Sequence, residues 1–222
     1  MTLWSRLFGA DDHKAIDEQR WVVLDVETTG LDMHHDELLA IAAVAVHIDN
    51  SSDNSGHSSR PRIAVRDSFE AMLQHASPST DKDNILVHGI GVQAQRSGAP
   101  PASALAAFEQ WIGASPLVAY HASFDRTMIR RAMKTHLQRT PRNPWLDLAP
   151  VASGLHPQTG AHALDDWLDH FGIDCAVRHQ AAADTLATAE LLLRLWPAAR
   201  RQQCATFAGL AELARHQRWL RN

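Results

Sequence analysis

The stretch Trp21-Val22-Val23-Leu24-Asp25-Val26-Glu27-Thr28-Thr29-Gly30 changes character half-way along. Trp21 to Val26 is a near-continuous apolar run, the pattern of a strand covered on both faces. Asp25 and Glu27 interrupt its far end, and Gly30 marks a turn. Residues two apart in a strand project from the same face, so both carboxylates aim at one spot. The C-terminal ends of strands are where α/β folds place ligand sites. Two ionised carboxylates there repel each other and resist desolvation unless something positive joins them, and a divalent cation would do so. A strand end running into a solvated turn accounts for the same two residues.

Outward from this strand, Glu37 to Ile48 reads as a second strand and Ile63 to Leu73 as a third. The Ser/Asn/Asp/Gly-rich segment 49–62 between them cannot bury enough apolar surface to order itself and is expected to be a floppy hairpin loop. A polar loop over 75–84 leads into Ile85-Leu86-Val87-His88-Gly89-Ile90. After that the period changes. Pro101 to Ile112 is helical, Leu117 to Tyr120 is a short buried strand, Ser123 to Gln138 is a helix, and Trp145 to Ala149 suits a last strand. His162 to Phe171 and Ala181 to Trp196 read as helices closed by Gly172 and Pro197. Strands first, then strand–helix alternation, predict an α/β domain with a mixed central sheet flanked by helices. The main domain is expected over 21–197. An N-terminal helical arm at 1–20 precedes it, with Leu3, Trp4, Leu7 and Phe8 on its apolar side, and a helical tail at 198–222 follows.

The whole chain sets bounds. Its 222 residues, 45% hydrophobic and 21% charged, suit one well-buried core. A net charge of −4 speaks against a protein that coats duplex DNA, so any nucleic-acid contact is expected to be short and local. The fourteen histidines are scattered rather than clustered as a metal-binding tract. Cys175 and Cys204 cannot build a disulfide framework, and a reducing cytoplasm is the simple reading. The longest apolar stretch, Leu38 to Val46, is too short to span a bilayer, so no membrane association is expected.

Two further segments carry acids to element ends. Asp125 follows the strand Leu117 to Tyr120 and falls in the first turn of the next helix, beside its positive end. His179 and Asp184 are five residues apart, about 140° around a helix, so they cannot share one face of a continuous helix. His179 is therefore expected in a loop, with Asp184 in the opening turns of the helix that follows. Each of these residues alone is accounted for by a structural role. Together they deliver acids from three segments with a histidine beside the last. Carboxylates without thiols favour Mg²⁺ or Mn²⁺. The reaction that uses such a cluster is phosphodiester hydrolysis by two metals about 3.5–4 Å apart. A histidine of near-neutral pKa suits the base that activates the water.

Asp25-Val26-Glu27-Thr28-Thr29-Gly30, Phe124-Asp125 and His179-Gln180-Ala181-Ala182-Ala183-Asp184 resemble, in order and spacing, the three motifs of the DnaQ-like (DEDDh) 3′–5′ exonucleases. His88-Gly89-Ile90 matches a segment that meets the substrate strand in that family. The resemblance covers about Trp21 to Trp196 and implies a ribonuclease H-like fold. It implies that Asp25 bridges two ions, that Glu27 and Asp184 hold the nucleophile-side ion, that Asp125 supports the other, and that His179 is the base. Thr28 and Leu31 would lie against the terminal nucleotide, with His88 beside its phosphate or sugar. The implied substrate is the 3′ end of single-stranded DNA, cut by a stand-alone enzyme or by a polymerase proofreading subunit similar to the epsilon subunit of DNA polymerase III. RNA ends, and a non-catalytic module that binds strand ends or a polymerase, are the alternatives. His121 departs from the family, which usually has Asn there, and shifted substrate contacts are expected.

Arg126, Arg130 and Lys134 recur every four residues and form one side of the helix after Asp125. A solvated helix face explains them, as does a guide for a phosphate backbone. In the tail, Phe207, Leu210 and Leu213 at helical spacing are expected to pack on the chain's own domain rather than on a partner.

Overall fold

A computed structural model describes residues 16–49 and 60–221. The arm expected over 1–20 and the loop expected over 49–62 lie largely outside the described residues. Strands β1 (Arg20–Thr28), β2 (Leu38–Ile48) and β3 (Pro61–Met72) form an antiparallel meander. Helices α1 (Lys82–His88), α2 (Val92–Ser97) and α3 (Pro101–Ile112) follow. Strand β4 (Leu117–Ala119), helix α4 (Ser123–Leu137), strand β5 (Trp145–Asp147) and helix α5 (Leu148–Leu155) come next. Helices α6 (Leu164–Phe171), α7 (Ala181–Arg201) and α8 (Phe207–Arg221) complete the chain. β4 pairs parallel with β1, and β5 parallel with β4, giving the order β3-β2-β1-β4-β5.

β1 is the middle strand, which is why its apolar run is unbroken. Trp21 and Val23 point to a core shared with α5, α6, α7 and α8, through residues such as Val151, Trp167, Leu191 and Leu210. Val22, Leu24 and Val26 point the other way, onto Leu105 and Phe108 of α3 and Met128 and Ile129 of α4. Trp21 meets Trp196 and Phe207 edge-on, with ring centroids 5.6 and 5.5 Å apart. β1 is thereby covered on both faces, whereas the edge strand β3 stays partly exposed.

The elements differ from expectation in several places. Pro197 does not close α7, which continues to Arg201. An interior proline costs a helix about 3 kcal/mol. Leu195, Trp196, Ala198 and Ala199 around it are all buried, and one fully buried large side chain stabilises by about 1.5–3 kcal/mol, so packing outweighs the lost bond. The last strand stops at Asp147 because that carboxylate caps α5, accepting from the N–H of Ala149 at 3.2 Å. Helix α1 begins inside the polar segment assigned to loop, since Asp81 accepts from the N–H groups of Asp83 and Asn84. Gly89, at φ 72°, ends it in the left-handed conformation that glycine adopts without strain. Helix α6 starts at Leu164, after Asp166 has accepted from the N–H groups of His162 and Ala163, both at 2.9 Å.

Candidate active site

Asp25 and Glu27 continue the Trp21–Val23 face of β1 and so face α7. The Glu27 carboxylate accepts from the N–H of Ala181, the first residue of α7. That N–H has no partner within its own helix, so the bond satisfies both groups. The β1–β2 register shifts between Glu27 and Thr28, a bulge of the kind that re-aims a strand beside a site. Just beyond, Thr28 is buried and its hydroxyl donates to the Gly30 carbonyl at 2.6 Å. Asn84 Nδ2 donates to the Thr28 carbonyl at 2.9 Å, tying α1 to the strand end.

Asp125 lies in the first turn of α4, only 3% exposed, and accepts from the N–H of Val26. The turn before it places His121 at φ 59°, with its N–H donating to Asp147 Oδ1 at 3.1 Å. Asp184 lies in the first turn of α7, 5% exposed. Its Oδ2 accepts from the backbone N–H of His179 at 2.9 Å. His179 itself is exposed, at φ 61°, in the loop before Gln180, the residue that starts α7. Its ring is outside the helix, as the 140° argument requires.

The four carboxylates act on one another. Burial, then the charges of Asp125, Glu27 and Asp184, push Asp25 well above the usual carboxylate range, and Arg178 opposes this. Burial, then Asp184, raise Glu27 to about 8. Burial, then the charge of Asp147, raise Asp125 to about 7. A cluster that resists its own ionisation is a site waiting for positive charge.

Arg178 supplies part of that charge and was not legible as a site residue. Its guanidinium pairs with Asp184 Oδ1 and with Asp165 of α6. Cys175 Sγ stands 3.7 Å from the same Asp184 oxygen. Among the described residues, no group of three or more His, Cys, Asp or Glu side chains is arranged to hold a metal ion as it stands. The donor set nevertheless fits a hard divalent cation: it offers oxygen ligands, burial and mutual repulsion disfavour the ionised forms of Asp25 and Glu27 until positive charge joins them, and one oxygen is taken by an arginine. Asp147 was also missed. Beyond its contacts to His121 and Ala149, its Oδ2 lies 3.6 Å from Arg218 of α8, linking the tail to the neighbourhood of Asp125.

Two softer site candidates differ in placement. Leu31 is 87% exposed at the turn after β1. His88, by contrast, is 4% exposed; its Nδ1 accepts from the N–H of Ile90 at 2.9 Å, which leaves the proton on Nε2, where it finds no partner among the described residues.

The Exonuclease family model (RNase_T) matches residues 22–192, most of the chain and all three acidic segments. The chain belongs to the Exonuclease family. The chain is 32% identical over 184 residues to the PolC-type DNA polymerase III of Bacillus subtilis, covering 82% of this chain but 12% of that protein. The Bacillus cereus PolC-type enzyme is 30% identical over 185 residues, with the same coverage. The chain thus spans about an eighth of the length of these relatives. Among solved structures, cell-death related nuclease 4 superposes with a TM-score of 0.68 at 16% identity, covering 85% of this chain and 66% of that one. Exonuclease I of E. coli, in complex with a dT13 oligonucleotide, gives 0.64 at 18% identity over 83% of this chain and 42% of its own. Exonuclease X, in complex with 5′-overhanging duplex DNA, gives 0.62 at 18% over 87% and 99%. The expected ribonuclease H-like fold and the resemblance to DnaQ-like exonucleases are both borne out. No helix among the described residues is long and apolar enough to cross a membrane.

Proposed function

We propose that this exonuclease removes nucleoside 5′-monophosphates from the 3′ end of single-stranded DNA, with Asp25, Glu27, Asp125 and Asp184 holding two Mg²⁺ or Mn²⁺ ions. The observation that carries the reading is the mutual repulsion of these four carboxylates, drawn from β1, α4 and α7 to one place. On the family pattern, Asp25, Glu27 and Asp184 would hold the nucleophile-side ion, and Asp125 would support a second that Asp25 also serves. When bound, such ions supply an activated water and stabilise the leaving 3′ oxygen.

The chain's own groups do the rest. The His179 ring, on an exposed loop, takes the proton of the attacking water, while its backbone N–H stays anchored on Asp184. Arg178, which pairs with both Asp184 and Asp165, would have to release Asp184 for that carboxylate to hold an ion. On the family pattern, Thr28, Leu31 and His88 serve the terminal nucleotide; Leu31 offers an exposed apolar surface to its base, whereas His88 would have to turn out of its buried position to present its N–H. DNA is favoured by the named relatives, which are DNA polymerases, and by neighbours solved with DNA. Cytoplasmic action, alone or beside a polymerase, completes the reading.

The test is digestion of 5′-labelled single-stranded DNA, with matched RNA alongside, in Mg²⁺ or Mn²⁺. The wild type should shorten DNA from its 3′ end with release of mononucleotides, and Asp184→Ala and His179→Ala should not. Binding without turnover would favour a non-catalytic module, and preferential digestion of RNA would overturn the choice of substrate.

A further inference from the structure

One face of α4 holds an unexplained concentration of positive charge. A groove of about 840 Å³ runs along the helix from Ser123 to Thr140 beyond its end. Every residue lining it is Arg, Lys, Ser or Thr, and none is acidic. Arg131 is committed to the fold, donating to the carbonyls of Met33 at 2.6 Å and Asp36 at 2.9 Å. Arg126, Arg130 and Lys134 are exposed and make no ion pair among the described residues. Three uncompensated cations thus line one groove on a chain whose net charge is −4. Like charges four residues apart on one helix face repel one another, and no acid among the groove's lining residues offsets them. The rise of 1.5 Å per residue sets the three cations along about 12 Å. The groove opens at Ser123, two residues before the buried Asp125, so one end lies at the turn that delivers a carboxylate to the active site.

We infer that this face of α4 is the track for the phosphate backbone of the DNA strand upstream of its 3′ end. Arg126, Arg130 and Lys134 pair with successive phosphates, and the lining hydroxyls donate to phosphate oxygens between them. The inference rests on the nuclease reading, since the strand end must lie among the carboxylates for the rest of the strand to reach the groove. It assigns strand binding to residues outside the three acidic motifs and explains how an acidic protein retains a polyanion.

The triple variant R126Q/R130Q/K134Q tests it. Binding of a labelled oligo-dT strand of about twenty nucleotides is followed by anisotropy in EDTA over a range of salt. Three phosphate contacts to a single strand contribute about 2 to the slope of log affinity against log salt, at about 0.7 per contact. Raising salt from about 50 to about 200 mM should therefore weaken wild-type binding about sixteenfold more than binding by the variant. With Mn²⁺, the KM advantage of the long strand over a trinucleotide should shrink in the variant. Coincident salt slopes would overturn the proposal, as would competition by polyglutamate equal to that of DNA at matched charge. Failure of the wild type to release nucleotides from the same strand would overturn the nuclease reading, and the binding slopes report on the groove independently of that result.

Discussion

Replacing Glu27 by Gln should stabilise the metal-free protein and disable it. Folded Glu27 keeps its proton up to about pH 8, whereas an unfolded chain releases it around 4.5. Over that interval the folded state binds more protons, so stability falls as pH rises through it. Resistance to ionisation of this size corresponds to about 4 kcal/mol near pH 7.5 and about 1 kcal/mol near pH 5.5. Water reaching the partly exposed side chain reduces these to roughly 2 kcal/mol and less than 1 kcal/mol. Gln carries no charge to desolvate, and its carbonyl can still accept from the N–H of Ala181. For a protein of this size, about 2 kcal/mol moves Tm by about 4–8 °C. Melting in EDTA, followed by circular dichroism, should therefore show E27Q above wild type near pH 7.5, with the gap narrowing toward pH 5.5. Adding Mn²⁺ should reverse the order, because only the wild type gains a full set of ligands. An E27Q variant that melts at or below wild type in EDTA near neutral pH would refute the reasoning.

Other perturbations read different parts of the account. Arg178→Gln removes the cation that occupies Asp184, so calorimetry should find Mn²⁺ bound about tenfold tighter than by wild type, and weaker binding would contradict the competition. His179→Ala should lower kcat by about 10²–10⁴ while leaving Mn²⁺ affinity near wild type, since the role proposed for the ring is that of a base and not of a ligand. Phe207→Ala should cost about 3–5 kcal/mol in urea unfolding, because the ring is buried edge-on against Trp21; a loss under 1 kcal/mol would mean that α8 is not part of the core.

Much of this molecule was legible because its decisive segments announce themselves locally. A doubly covered strand is a continuous apolar run, and period two then puts Asp25 and Glu27 on one face without reference to the rest of the chain. Pure helix geometry likewise placed His179 outside the helix that carries Asp184. The misses had a different origin. Helix α1 is set by its caps, Asp81 and Gly89, within a segment too polar to show periodicity, and α5 is apolar on most sides because it is buried. Pro197 obeys packing against the Trp21 core rather than its own propensity. Arg178 and Asp147 escaped notice because their importance lies in pairings that close only in three dimensions. Arg178, in the turn before α7, meets Asp165 of α6 thirteen residues away, and Asp147 meets His121 across twenty-six. No spacing rule reaches those distances, whereas the acidic motifs needed none.

Diffraction from crystals grown with Mn²⁺ and a nucleoside 5′-monophosphate, recorded at the manganese edge, addresses the central claim most directly. Two anomalous peaks about 3.5–4 Å apart, both within bonding distance of Asp25 and shared out among Glu27, Asp184 and Asp125, are the predicted result. Manganese bound elsewhere, or a site where Arg178 still holds Asp184 beside bound nucleotide, would contradict it.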